Sequence, residues 1–246
     1  MARHLIWPKI CILGDSLTQF SFSAEGCWGS VVADEFVRKA DFIARGFSGY
    51  NTRQYKALLP YLEKDIKGST IAGIFLGAND ANYPEINPQQ GVPLEEYKEN
   101  LKAIASFLKN SGVKCTLMIT PPALDEESWK KECLKNGNEC AKTSQLVENY
   151  ASACLETSKA IGIPCVDLHT RMLQRNDWKE FLIDGLHFSK KGSEFVASQI
   201  IPTLKVLFAN CNDIIKDKDG IMPLWNDVSN EDPETSFRKW FDKHKV

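Results

Sequence analysis

Five apolar, partly β-branched stretches recur along the chain, at 9–13, 41–44, 70–76, 114–120 and 164–168, and they constrain its fold more than any other feature. Between them the apolar spacing changes to that of a helix. Leu94, Tyr97, Leu101, Ile104 and Leu108 mark one helical face, with Gly112 beyond its end. Leu146, Val147, Tyr150, Cys154 and Ile161 mark a second, which stops near Gly162-Ile163-Pro164. Phe195, Val196, Ile200 and Leu204 mark a third, which Pro202 is expected to kink or divide. Strands that alternate with helices imply βαβ units, and so a parallel sheet covered on both faces.

The expected architecture is therefore α/β, three layers (α/β/α) built on a five-stranded, mostly parallel sheet. Five such strands fit one doubly wound domain over 1–246 better than two, and no repeat or low-complexity linker divides the 246 residues. The stretch 212–246 is polar and reads as a C-terminal extension, with Trp225, Trp240 and Phe241 expected to dock onto the body.

Charge and cysteine content remove several classes of function. A net charge of −2 gives no global field to recruit nucleic acid or an anionic membrane. No apolar run approaches the roughly 18 residues that span a bilayer. Pro8 and Lys9 interrupt the apolar start, so it lacks the pattern of a signal peptide, and a soluble cytoplasmic protein is expected. The eight cysteines are expected to be free thiols, because disulfide frameworks belong to short secreted chains. Cys133 and Cys140, which flank a polar stretch, are the pair that could bridge or share a metal. The histidines (His4, His169, His187 and His244) show no metal-ligand spacing, so no metal and no cofactor is expected.

In open parallel sheets, ligand sites lie beyond the carboxyl ends of the strands. The first strand ends in Gly14-Asp15-Ser16-Leu17, which is either a turn or a serine nucleophile raised at the top of the sheet. At average residue frequencies this tetrapeptide occurs by chance in well under about one per cent of chains this long. The second strand leads into Gly46-Phe47-Ser48-Gly49, a turn or a loop whose backbone approaches something closely. The third ends in Gly77-Ala78-Asn79-Asp80, where Asn79 either caps a turn or donates its amide to a developing negative oxygen. Asp184 stands three residues before His187, within reach to hold the second ring nitrogen of a histidine base. The alternative there is a surface loop, with Ser189 capping the following helix in either case.

Together the four stretches resemble the GDSL, or SGNH, hydrolase superfamily, in its block order and over most of the chain. The resemblance implies the flavodoxin-like fold of that superfamily and a Ser16–His187–Asp184 catalytic triad. It also implies an oxyanion hole made by the Ser16 and Gly49 N–H groups and the Asn79 side chain. Arg45 stands where the wider superfamily usually has asparagine. With GFSGYNT, GAND and DGLHFS, it makes the chain similar to the branch of isoamyl acetate-hydrolysing esterases. The activity implied by the resemblance is that of a serine esterase, cleaving small carboxylic esters, acetates of short and medium alcohols, through an acyl-enzyme.

Three other readings use the same residues. A thioesterase, lysophospholipase or acyltransferase would keep the triad and change the substrate or acceptor. A flavodoxin-like binding module would keep the fold and leave Asp184 and His187 idle. An α/β-hydrolase would need a Gly-x-Ser-x-Gly elbow, which the chain lacks. Phe20, Phe22, Tyr83 and Trp129 follow strands 1, 3 and 4, so they either line an apolar pocket or belong to the core.

Overall fold

A computed structural model describes residues 6–23, 27–210 and 220–244. His4, Cys211 and the first part of the polar extension lie outside the described residues. The chain runs β1 (Lys9–Gly14), α1 (Ser16–Gln19), α2 (Trp28–Glu35), β2 (Asp41–Gly46), α3 (Thr52–Ile66) and β3 (Ile71–Phe75). It continues through α4 (Leu94–Asn110), β4 (Cys115–Ile119), α5 (Glu126–Lys135), α6 (Ser144–Ala160), β5 (Cys165–Val166), α7 (Leu168–Leu173), α8 (Lys190–Asn210) and α9 (Pro233–His244).

All five strands are parallel, in the order β2-β1-β3-β4-β5. After β1 the chain steps outward to β2, then crosses back over β1 to β3 and proceeds the other way. Because such crossovers are right-handed, the reversal puts the crossover helices α3, α4 and α6 on the opposite face from α2. Helices α3, α4 and α6 pack side by side on one face, and α2 packs with α8 on the other. Ile10, Cys11, Ile12 and Leu13 of β1, an interior strand, are consequently buried on both faces. The strand order reverses between β1 and β3, and that switch point is where this class of sheet opens a crevice.

The helical spacing holds where it was clearest: Tyr97, Leu101, Ile104 and Leu108 of α4 are all buried. Pro202 does not divide α8, which continues from Lys190 to Asn210. Both Pro202 and Ser198, whose carbonyl loses its partner four residues on, face outward, where water can take the freed bond. The fifth strand is shorter than the apolar stretch 164–168. Asp167 accepts a hydrogen bond from the Thr170 N–H (3.0 Å) and starts α7 at Leu168.

The extension only partly docks. Ile221 is buried and its N–H donates to the Arg38 carbonyl (2.9 Å), while the Arg38 guanidinium donates to the carbonyls of Met222 and Pro223. Trp240 packs within the extension, its indole N–H reaching the Ile221 carbonyl at 3.0 Å. Trp225, expected to dock, is 88% exposed. Among the described residues no helix is long and apolar enough to cross a membrane.

Candidate active site

The turn after β1 raises Ser16 at the crevice. The Asp15 side chain accepts from the Leu17 N–H (2.9 Å), and its carbonyl accepts from the N–H groups of Thr18 and Gln19 (3.1 and 2.9 Å). These bonds close α1 directly after the strand, so Ser16 occupies its first position with only 5% of its surface exposed. Strand-to-helix compression of this kind leaves a side chain at the edge of the sheet with little rotational freedom.

His187 arrives from the far end of the chain. Its Nε2 lies 2.9 Å from Ser16 Oγ, and its Nδ1 lies 2.6 Å from Asp184 Oδ2. The other Asp184 oxygen accepts the N–H groups of Leu186 and His187 at 2.9 and 2.8 Å. Burial pushes the Asp184 carboxyl up, but the bonds and charge of His187 outweigh it and hold it below the usual carboxylate range. The rings of Phe20 and Trp129 meet the imidazole edgewise, at 6.2 and 6.0 Å between centroids. Ser189 accepts from the Gly192 N–H (3.1 Å) at the start of α8, which pins the loop's downstream end.

Gly185 fixes the middle of that loop. Its φ is +97°, and a Cβ there would meet the Asp125 carbonyl oxygen and the Trp129 nitrogen at 2.5 Å. Both contacts are backbone, so the loop itself has to move. We expect Gly185→Ala to lower kcat by about 10²-fold by displacing His187, together with a fall in Tm. Steady-state kinetics and thermal denaturation check this, and a variant with unchanged kcat would show that the loop adjusts without moving the ring.

Gly49 and Asn79 close the opposite side. Gly49 takes φ +82°, a conformation open to glycine at little cost, and among the described residues its N–H has no acceptor. Asn79 is buried and donates from Nδ2 to the Tyr50 carbonyl (3.0 Å), which occupies one of its two amide hydrogens. Ser16, Gly49, Asn79 and His187 line one polar cleft of about 540 Å³. A smaller apolar cleft of about 160 Å³ meets it at Ser16 and His187, walled by Leu17, Phe20, Trp28 and Ile183.

Of the four aromatic candidates, Phe20 lines the apolar cleft and Trp129 the polar one. Phe22 packs on Phe42, the Tyr83 hydroxyl meets that of Thr143, and neither ring lines these two clefts. Arg45 also lies apart: it pairs with Asp65 of α3 at 2.7 Å while its carbonyl accepts the Tyr55 hydroxyl. The seven described cysteines, Cys133 and Cys140 among them, are free thiols.

Sequence reasoning missed a buried charged group behind the serine. Asp80 accepts the Thr52 N–H through both oxygens (3.0 and 3.1 Å) and the Thr52 hydroxyl as well, tying the loop after β3 to the start of α3. Lys142, also buried, donates to the Ala78 carbonyl. Burial pushes the Asp80 carboxyl up to about 7 and that of Asp15 up to about 6. It also pushes the Lys142 ammonium down to about 8, against the pull of both aspartates. A carboxyl raised from 3.8 to about 7 takes up a proton on folding within that window. Its contribution to stability therefore falls as pH rises from about 4 to about 7 and is level above. Asp80→Asn, which keeps an acceptor for Thr52, should lose less Tm than the wild type between pH of about 5 and about 8. Equal losses in the two proteins would mean that Asp80 is ionised throughout.

A serine at the switch point of a doubly wound sheet, bonded to a histidine that is bonded to a half-buried carboxylate, is the arrangement that serine hydrolases use. The chain belongs to the GDSL-like lipase/acylhydrolase family, whose profile matches residues 10–200, and it is a carboxylic ester hydrolase. It is 39% identical over 239 residues to the isoamyl acetate-hydrolyzing esterase 1 homolog of Homo sapiens, covering 94% of this chain and 92% of that one. It is 39% identical to a GDSL esterase/lipase of Arabidopsis thaliana, over 93% of this chain and 97% of the relative. Among solved structures, the lipase/acylhydrolase of Enterococcus faecalis superposes with a TM-score of 0.65 at 23% identity, over 81% of this chain and 96% of that one. An acetyl xylan esterase superposes equally well, at 0.65 and 18% identity, over 80% and 99%. These two likenesses extend to the fold.

Proposed function

We propose that this protein hydrolyses small carboxylic esters, acetates of short and medium alcohols above all, with Ser16 as nucleophile. The observation that carries the reading is the unbroken line from Ser16 Oγ through the His187 ring to Asp184, at 2.9 and 2.6 Å. His187 takes the Ser16 proton through Nε2 as the oxygen attacks the carbonyl carbon, and Asp184 holds the proton on Nδ1 and stabilises the imidazolium. The oxygen that gains charge is met by the N–H groups of Ser16 and Gly49 and by the second Asn79 amide hydrogen. His187 returns its proton to the departing alcohol. A water, activated by the same ring, then releases the acid from Ser16.

Small substrates suit the clefts. The apolar one is small, about 160 Å³, and its walls of Leu17, Phe20, Trp28 and Ile183 suit a short aliphatic chain. Relatives named as isoamyl acetate-hydrolyzing esterases, at 38–40% identity, support the same size class. Free thiols throughout the described residues suit a reducing compartment, and we place the protein in the cytoplasm.

The test is a series of p-nitrophenyl esters. We expect kcat/KM to be highest for acetyl and butanoyl and to decline by at least about tenfold by decanoyl, as methylenes outgrow the cleft. A maximum at long acyl chains would move the substrate to lipids. Slow oxygen esters with fast thioesters would make the enzyme a thioesterase.

A further inference from the structure

We infer that Gln90 is a positioning residue that sets the polarity of the oxyanion hole, by fixing, together with the Tyr50 carbonyl, which way the Asn79 amide faces. The inference rests on the reading of Asn79 and Gly49 given above and extends it to a residue in the loop between β3 and α4.

A carboxamide has an accepting end and a donating end of nearly equal size, so packing alone does not choose its orientation. Here the choice is passed along a chain of amides that starts at a group with no freedom. The Gln90 backbone N–H donates to Asn87 Oδ1 (3.2 Å). That leaves Asn87 Nδ2 to donate to Gln90 Oε1 (2.9 Å), where Asn82 Nδ2 also points at 3.5 Å. Gln90 must then turn its Nε2 the other way. That amide group donates to two of the three oxyanion-hole residues, to the Gly49 carbonyl at 3.0 Å and to Asn79 Oδ1 at 3.4 Å. With its oxygen held by Gln90, Asn79 presents Nδ2 to the Tyr50 carbonyl and to the cleft. A reversed Asn79 would set its oxygen against the Tyr50 carbonyl and its NH₂ against Gln90 Nε2, two repulsive contacts. It would also aim a lone pair at the oxygen that gains charge in the transition state.

Gln90 further ties two loops together. Its backbone carbonyl accepts from Asn51 Nδ2 (2.8 Å), the residue that caps α3, and its side chain holds the carbonyl of Gly49 in its positive-φ conformation. Asn82 Nδ2 meets the Asn79 carbonyl at 2.6 Å, bracing the same residue from its backbone side. The loops after β2 and β3 are thereby held at one spacing, on which the separation of the two donors depends.

The experiment compares wild type, Gln90→Glu, Gln90→Met, Asn79→Ala and both double variants on p-nitrophenyl acetate. Glutamate keeps the size and puts an acceptor where the donor was, whereas methionine neither donates nor accepts. We expect Gln90→Glu to lower kcat by about 10²-fold and Gln90→Met by about tenfold, with KM within about threefold of wild type. In the Asn79→Ala background, either Gln90 change should cost clearly less than it does in wild type, because the amide it orients is gone and only its tie to the Gly49 carbonyl is left to lose. A purely structural Gln90 would instead cost the same factor in both backgrounds, and that result overturns the inference. So does a Gln90→Met enzyme with full kcat while Asn79→Ala is crippled. Near-normal kcat in Asn79→Ala alone removes the oxyanion reading itself, which separates the two failures. If Gln90→Glu does not fold, Gln90→Met and its double variant give the same comparison.

Discussion

Ser16→Ala should fold as the wild type does and lose about 10⁴- to 10⁶-fold in kcat. The size of the loss reflects the loss of two functions at once. In the proposed mechanism Ser16 Oγ forms the acyl bond, and it lies 2.9 Å from the His187 nitrogen proposed as the base. Without it, water must attack directly, with only the oxyanion donors and the binding clefts still in place. Such remnants retain roughly 10³-fold over the uncatalysed reaction. The cost in stability should stay near 1 kcal/mol, the typical worth of one hydrogen bond, because the half-buried His187 ring can turn to water instead. Covalent labelling by a fluorophosphonate should vanish with the hydroxyl. A Ser16→Ala enzyme within tenfold of wild type would overturn the assignment of the nucleophile.

Strands were legible in this sequence because the sheet is parallel and covered on both faces. The residues of β1 from Ile10 to Leu13 and those of β3 from Ile71 to Phe75 are all buried, so each strand reads as a continuous apolar run. Helix α4 was legible because its core-facing residues keep strict helical spacing. Helix α3 was not: Pro60 sits inside it and looks like a break. Pro60 and Lys56, four residues before it, both face solvent, so water can replace the missing bond and the helix continues. The same physics misleads at Pro202 in α8.

The site divides along a similar line. Ser16, Gly49 and Asn79 could be found because each follows a strand that ends at the crevice, where the fold itself directs attention. Asp184 and His187 could be paired because three residues separate them within one loop. Gln90, Asp80 and Lys142 leave no such mark. Asp80 matters through Thr52 and Lys142 through the Ala78 carbonyl, partners 28 and 64 positions away. Gln90 meets Gly49 across 41 positions. No local pattern announces a contact of that range, and only the packing of the loops brings them together.

Asp184→Asn is expected to lower kcat by about 10⁴-fold while leaving KM within about threefold. The reason lies in the two roles of the carboxylate. One oxygen accepts the N–H groups of Leu186 and His187, and the other faces His187 Nδ1 at 2.6 Å. Asparagine can serve the backbone pair only with its single oxygen, so its NH₂ has to face Nδ1. The ring must then accept at Nδ1 and carry its proton on Nε2, toward Ser16, where a base is needed. The variant thus holds the imidazole in place and in the wrong tautomer, and its clefts stay intact for binding. Protonation of Asp184 itself should not mimic this near neutrality. Its carboxyl is held below the usual range, so the stability it contributes is full above about 4 and is lost only as pH falls through the lower folded value. Kinetics across neutral pH, with fluorophosphonate labelling as a second measure, test the point. Labelling should become slow and remain stoichiometric, since Ser16 is present without its base. If Asp184→Asn keeps turnover within tenfold and labels at the wild-type rate, the carboxylate only shapes the loop, and the relay ends at His187.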